Sequence, residues 1–142
     1  MTTASAAGDA EANKSVVRRH LTEAISGNRP ELWATLLHPD YAVHYRDTVT
    51  RGADGYLVAV TRWRNAFPDW SVEIEDLLCD GDKVVARYTE RGTHLGPFGR
   101  HAPTGRRYTK NGIGIYRIEG GRIAELWCQE DEIGFRKQLG LP

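Results

Sequence analysis

From Trp70 onward the chain alternates apolar and polar side chains, a two-residue period that suits an extended strand with one covered face. Trp70, Val72 and Ile74 fall on one side of this pattern, and Ser71, Glu73 and Glu75 on the other. Asp80-Gly81 has hairpin-turn chemistry, and Val84 to Thr93 follows it as a second strand. A longer strand is expected from about Arg106 to Ile118, turning at Glu119-Gly120-Gly121 and returning as Ile123 to Glu130. The preceding half has a helical period instead. Val16, Val17, Leu21, Ala24 and Ile25 predict a helix from Ala12 to Ser26, stopped at Gly27. Asn28 and Pro30 open a short second helix carrying Leu32, Trp33, Leu36 and Leu37, which His38-Pro39-Asp40 terminates. A third helix from about Ala53 to Ala66 presents Leu57, Val60 and Trp63 inward until Phe67-Pro68-Asp69 breaks it. Asp131 as N-cap and Gly140 as C-cap bound a last short helix. Helices first and antiparallel strands after give an α+β order. A strongly curved antiparallel sheet with the N-terminal helices across its concave side would leave a pocket between the layers.

Composition narrows the function. The 142 residues fit one domain, expected over 13–142, behind a small polar segment over 1–12 that reads as a flexible tail. Nineteen basic residues balance nineteen acidic ones, so no overall field draws the chain to nucleic acid or to an anionic membrane. With no bilayer-length apolar run and no apolar signal-type stretch at the N-terminus, a cytoplasmic protein is expected. Cys79 and Cys128 are too few and too far apart for a disulfide framework or a CxxC metal site. No histidine pair at i, i+4 spacing suggests a metal, and the glycines from Gly92 to Gly105 lack the strand-loop-helix context of a phosphate cradle.

Several segments, in this order and spacing, carry a resemblance to a known family: His38-Pro39-Asp40-Tyr41, Ala66-Phe67-Pro68-Asp69-Trp70, Arg91-Gly92-Thr93-His94-Leu95-Gly96 and Pro103-Thr104-Gly105-Arg106-Arg107. Ile115-Tyr116-Arg117-Ile118, Gly121-Arg122-Ile123 and Gln138-Leu139-Gly140 continue the series. From about Asn13 to Gly140 the chain resembles the SnoaL-like polyketide cyclases. That resemblance implies a cone-shaped α+β barrel, catalysis without metal or organic cofactor, a small hydrophobic organic substrate, and homodimers through the outer face of the sheet. The family's aldol cyclases carry a Gln, a His and an Asp at positions occupied here by Gly112, Gly114 and Cys128. The aldol machinery is therefore absent. The two glycines either enlarge the pocket or mark a close backbone approach.

Strand alternation then assigns the side chains facing the pocket. Val84, Ala86, Tyr88 and Glu90 form one inward series, and the match of Cys128 to a pocket position of the family implies that Leu126, Cys128 and Glu130 form another. Tyr45 shares a side with Tyr41 and Val43, and Trp63 reads as core or pocket wall. Glu130 is the expected general acid or base, because an apolar pocket disfavours its charged form, unless the strand end carries it into solvent. His101 lies in a loop that in this family runs along the pocket mouth, and is either an acid/base group or a surface histidine without a role. Tyr45 and Tyr88 offer phenolic hydrogen bonds, or serve only as wall. His94 is read as structural. These groups suit ring closure on a polyketide- or prenyl-derived substrate, including attack of a hydroxyl on an epoxide to form a pyran. A non-catalytic binding domain and an isomerase or dehydratase of the same fold are the alternatives, and a titratable pocket group with a perturbed pKa distinguishes catalysis from mere binding.

Overall fold

The computed structural model describes the chain from Thr3 to Pro142, with side-chain environments from Asp9 onward. Helix α1 spans Thr3–Arg19 and continues as a π-helical segment, His20–Ser26. Most of the segment expected as a tail over 1–12 thus takes helical backbone, in keeping with the high helix propensity of its alanines. A single 3-10 turn, Pro30–Leu32, leads into α2 at Trp33–Leu36, and α3 covers Ala53–Ala66. The six strands are β1 (Leu37–Tyr45), β2 (Thr48–Arg51), β3 (Ser71–Asp80), β4 (Lys83–Thr93), β5 (Arg107–Glu119) and β6 (Arg122–Glu130). Helix α4, Glu132–Leu139, closes the chain with the expected caps: Asp131 accepts from the Gly134 amide at 2.9 Å, and Gly140 adopts the left-handed region at φ 72°.

The strands form one open sheet in the order β2-β1-β6-β5-β4-β3. Neighbours pair antiparallel except β1 and β6, which run parallel, a pairing that local alternation does not reveal. Register shifts at Ile74/Asp76 and Arg117/Ile118 insert bulges, which bend the sheet around the helices. On β5 the alternation holds over the whole strand, with Tyr108, Lys110, Gly112, Gly114, Tyr116 and Ile118 on the covered face. On β4 the covered face carries Val84, Ala86, Tyr88 and Glu90, as the pattern requires.

Long-range polar contacts fix the helices over this sheet. The Ser26 hydroxyl accepts from the Val72 amide at 2.6 Å and donates to the Val72 carbonyl at 2.9 Å, tying the π-helical segment to β3. The Arg64 guanidinium donates to the Ile25 carbonyl and, at 2.9 Å, to the Trp70 carbonyl, joining α3 to both neighbours. His20 is 1% exposed, and burial drives its pKa down to about 3, so it is neutral and its Nδ1 accepts from the Trp33 indole at 2.9 Å. His94 is buried too, its Nδ1 accepting from the Thr104 amide at 3.2 Å, which fits the structural role expected for it.

The turn after β4 docks on the end of α3, where the amides of Leu95 and Gly96 both donate to the Ala66 carbonyl at 3.0 and 3.1 Å. A Cβ on Gly96 would sit 2.0 Å from the Asn65 carbonyl oxygen, so only glycine fits without moving backbone. Gly96→Ala should therefore destabilise the protein by about 1–3 kcal/mol, as overpacking does. A lowered urea midpoint with unchanged m-value is the expected result, and an unchanged midpoint would show that the turn does not hold this contact.

Candidate active site

Between the concave face and the helices lies a cavity of about 260 Å³. Its apolar wall comes from Leu21, Ile25, Val43, Val60 and Val72, together with the rings of Trp63 and Trp70. Thr48 and Ala59 line it and are also exposed, so it opens to solvent between the β1–β2 hairpin and α3. Tyr45, Tyr88, Glu90, Trp63, Cys128 and Glu130, expected at the pocket from strand parity, helix spacing and, for Cys128 and Glu130, the family resemblance, all line it.

The polar groups form a connected chain. Tyr88 donates its phenolic hydrogen to Glu130 Oε2, and Glu130 Oε1 is 3.0 Å from Lys110 Nζ. Lys110 Nζ is in turn 3.5 Å from Glu90 Oε2, to which Tyr108 donates at 2.6 Å. Lys110 and Glu90 are nearly closed to solvent, with side chains 2% and 6% exposed. The ammonium also lies 4.7 Å from the ring centres of both Trp63 and Phe135, a cation–π arrangement that partly replaces its lost water.

Burial is the largest influence on Glu90 and, with the nearby Glu130 carboxylate, outweighs Lys110 and the Tyr108 hydrogen bond, so its pKa is pushed up to about 7. The Trp70 indole leans towards its charged form from beyond hydrogen-bond geometry. Lys110 shifts the opposite way from an ordinary buried lysine: burial lowers its pKa, but Glu90 and Glu130 more than reverse that, and it stays an ammonium. Burial first, then the Glu130 charge, raises the pKa values of Tyr88 and Tyr45, keeping both as phenols. Burial likewise lifts the Cys128 thiol to about 12, so it is an unionised lining group at neutral pH. Among the described residues no three His, Cys, Asp or Glu side chains converge on a point that would hold a metal ion.

Four expected site residues lie elsewhere. A Cβ on Gly112 would come 2.7 Å from the Tyr88 ring, and one on Gly114 would meet Leu126 and Tyr116 at 3.0 Å. Tyrosine rings occupy the space the glycines vacate, so these positions mark close approach rather than extra cavity volume, and neither lines the cavity. Leu126 is on the inward face, 7% exposed, but is spent in packing over Gly114 and does not reach the cavity. His101 is outside as well: its backbone pairs with Phe98, its ring stacks on Phe98 at 6.5 Å, and the Phe98 ring stands 5.5 Å from Trp63. An aromatic layer thus separates the imidazole from the cavity.

Lys110 and Tyr56 are among the lining residues that sequence reasoning passed over, with Thr48, Thr50, Ala59 and Tyr116. A signal for Lys110 was present, since the parity that places Gly112 and Gly114 inward places residue 110 inward too. Tyr56 sits one helical turn before Val60 on α3, on the face that α3 turns to the sheet.

With this geometry in view, known proteins supply the kinship. The sequence pattern of the SnoaL-like polyketide cyclases matches residues 15–139. The chain belongs to that family. It is 28% identical over 132 residues to aklanonic acid methyl ester cyclase DnrD of Streptomyces peucetius, covering 87% of this chain and 88% of that one. The structure of TsrD from Streptomyces laurentii superimposes with a TM-score of 0.82 at 32% identity, covering 93% of this chain and 97% of that one. A SnoaL-like protein of Jannaschia sp. CCS1 gives a TM-score of 0.86 over 94% of both chains, and at 18% identity that likeness speaks for the fold alone.

The Glu90 shift makes stability depend on pH in a stated direction. Its folded pKa, about 7, lies above the ordinary 4.5, so the native state holds a proton that the unfolded chain has released between those values. Its stabilising contribution is therefore complete below about pH 4.5 and lost as pH rises through about 7. The contribution from Lys110 persists over this whole window, because its pKa is raised from 10.5. Denaturation of the parent and of Glu90→Gln across the window should show a downward slope in the parent that the variant lacks. Equal slopes would mean that Glu90 titrates as an ordinary carboxyl.

Proposed function

We propose that this protein is a cofactor-independent cyclase that closes a ring on a hydrophobic polyketide- or prenyl-derived substrate by general acid/base catalysis. The observation that carries this reading is the chain Tyr88–Glu130–Lys110–Glu90–Tyr108 in the wall of an apolar cavity, containing a carboxyl that titrates near neutrality. A pocket that merely held a ligand would bear the cost of burying an ammonium and two carboxylates without using them. Membership of a cyclase family and the likeness to DnrD support the same class of reaction.

Within that class, hydroxyl attack on an epoxide fits the residues better than an aldol closure. The positions at which the family's aldol cyclases carry acid/base groups hold Gly112, Gly114 and the unionised Cys128. In an epoxide opening, the substrate hydroxyl gives up its proton as its oxygen bonds to the epoxide carbon, the carbon–oxygen bond of the epoxide breaks, and the released oxygen takes a proton. Such a step needs one acceptor and one donor on opposite sides of the reacting carbon. Tyr45, Tyr88, Glu90 and Glu130 all face the cavity and can divide these tasks.

Glu130→Gln keeps the side chain's size but removes its charge and the carboxyl that could exchange a proton, leaving Glu90 as the remaining counter-charge of Lys110. On an epoxide-bearing phenol, kcat should fall by roughly 10²- to 10⁴-fold with KM little changed. Tyr88→Phe separates the hydroxyl from the wall-forming ring and should lower kcat in the same sense. Parent rates in both variants would rule out acid/base closure at this site.

We propose also that the protein works as a homodimer through the outer face of its sheet. Val49, His44, Trp127, Ile115, Val85 and Leu78 are successive cross-strand partners and make one row across all six strands. Val49, Trp127, Ile115 and Leu78 on it are 44%, 36%, 38% and 63% exposed, a largely apolar row, broken at His44, that a second copy can cover about a two-fold axis. Light scattering at micromolar concentration should give the dimer mass, and Ile115→Asp should give the monomer mass. A parent protein that scatters as a monomer would remove this assignment.

A further inference from the structure

Two tyrosine–glutamate pairs border the same cavity. Tyr88 donates to Glu130 within the cavity wall, while Tyr45, at the end of β1, donates at 2.7 Å to Glu132 Oε2 in the first turn of α4. The surroundings of the carboxylates differ. Glu130 and Glu90 share Lys110, whereas Glu132 is 2.5 Å from Arg46, at the start of the β1–β2 turn, and 3.5 Å from Arg136, one helical turn along α4. Glu132 does not line the cavity, whereas Tyr45 does, so the phenol links the cavity wall to a carboxylate outside it. Its side chain is 21% exposed, against 12% for Glu130 and 6% for Glu90. The pair therefore spans from the cavity, at Tyr45, to solvent, at Glu132.

Resting on the acid/base reading above, we propose that Glu132 is the proton-accepting and positioning partner of Tyr45, and that the substrate hydroxyl proton leaves the cavity through this pair while the Glu130–Lys110–Glu90 chain protonates the opening epoxide oxygen. The direction follows from the hydrogen bonds. Because the Tyr45 hydrogen is committed to Glu132, its oxygen presents a lone pair, not a hydrogen, to a ligand. The Glu132 carboxylate is ion-paired with Arg46 at 2.5 Å and Arg136 at 3.5 Å, and it is the hydrogen-bond acceptor in the pair, placed to receive the Tyr45 proton. The substrate O–H proton passes to the Tyr45 oxygen as the Tyr45 proton passes to Glu132. The freed electron pair forms the new carbon–oxygen bond, the epoxide carbon–oxygen bond breaks, and its electron pair takes a proton from the interior chain. Glu132 then releases its proton to water, and the interior chain regains one once product leaves. The charged and titratable groups around the Tyr45–Glu132 pair are Glu130 from β6, Arg46 from the turn, Arg136 from α4, and, at longer range, Lys110 from β5.

The test is a mutant cycle assayed on an epoxide-bearing phenol. Glu132→Gln and Tyr45→Phe should each lower kcat by about 10²-fold or more with KM little changed, and the double variant should be no slower than the slower single one, because both break one relay. The acid limb of the kcat–pH profile should flatten in Glu132→Gln and return, displaced, in Glu132→Asp. A residue that only latched the hairpin to α4 would shift KM and leave the pH profile in place. Multiplicative losses in the double variant, or a parent rate and profile in Glu132→Gln, would overturn the relay. Circular dichroism confirms that each variant is folded, and the Glu132→Asp profile decides the matter should Glu132→Gln misfold. Glu130→Gln and Tyr88→Phe in the same assay separate the two levels: if both are silent the acid/base reading fails, and if either is slow while Glu132→Gln is silent only the relay fails.

Discussion

The ammonium of Lys110 lies on the covered face of β5 with its side chain 2% exposed, 3.0 Å from Glu130 and 3.5 Å from Glu90. A charge removed from water in this way is tolerable only with opposite charges and aromatic faces around it, and here Glu90, Glu130, Trp63 and Phe135 supply them. The arrangement constrains four elements together, because those partners come from β4, β6, α3 and α4. Removing either carboxylate would leave a buried charge less compensated, which typically costs several kcal/mol. The same constraint sets the chemistry. Burial first, and then the neighbouring Glu130 carboxylate, outweighs the ammonium and pushes the Glu90 carboxyl up to about 7.

The surrounding wall explains why the cluster stays dry on its inner side. Trp63 packs on Phe67, Phe98 and Phe135 at 4.6, 5.5 and 5.5 Å between ring centres, and Tyr108 closes against Phe135 at 4.7 Å. This aromatic layer shuts off the end of the cone where α4 and the β4–β5 loop meet. It also strands His101 on the far side of Phe98. Access is left to the opposite edge, between the β1–β2 hairpin and α3, where Tyr45 and its Glu132 partner stand. A substrate entering there meets a phenol backed by solvent-exposed charge on one side and the enclosed carboxyl–lysine chain further in.

Much of this was legible in the chain because strand parity is a local property. The inward series Tyr88–Glu90 follows from alternation, and Cys128–Glu130 follows from it once the family resemblance sets Cys128 inward; each of these residues lines the cavity. Parity says which face a side chain takes, but not whether another side chain already fills the space above it. Gly112, Gly114 and Leu126 are therefore inward without reaching the cavity, since Tyr88 and Tyr116 from the same face lie over the glycines. Parity also placed Lys110 inward, but an isolated lysine in a strand reads as a wet-face residue until its two carboxylates are seen beside it.

The helices, the hairpin turns at Gly81 and Gly120-Gly121, the caps of α4 and the faces of the later strands were determined by the sequence itself, because each depends on residues a few positions apart; β1 and β2, which stand between α2 and α3 and take Leu37 out of the expected second helix, break the expected order of helices first and strands after. Tertiary structure alone decided the rest. The parallel pairing of β1 with β6 brings Tyr45 opposite Cys128, residues distant in sequence that no local pattern relates. The same pairing carries Tyr45 to Glu132, and the registry of β4, β5 and β6 brings Glu90, Lys110 and Glu130 around one ammonium. Proton affinities depend on the charges and the water within a few ångströms of a group. Those are set by which strands lie side by side, so the chemistry of the site appears only once the chain has folded.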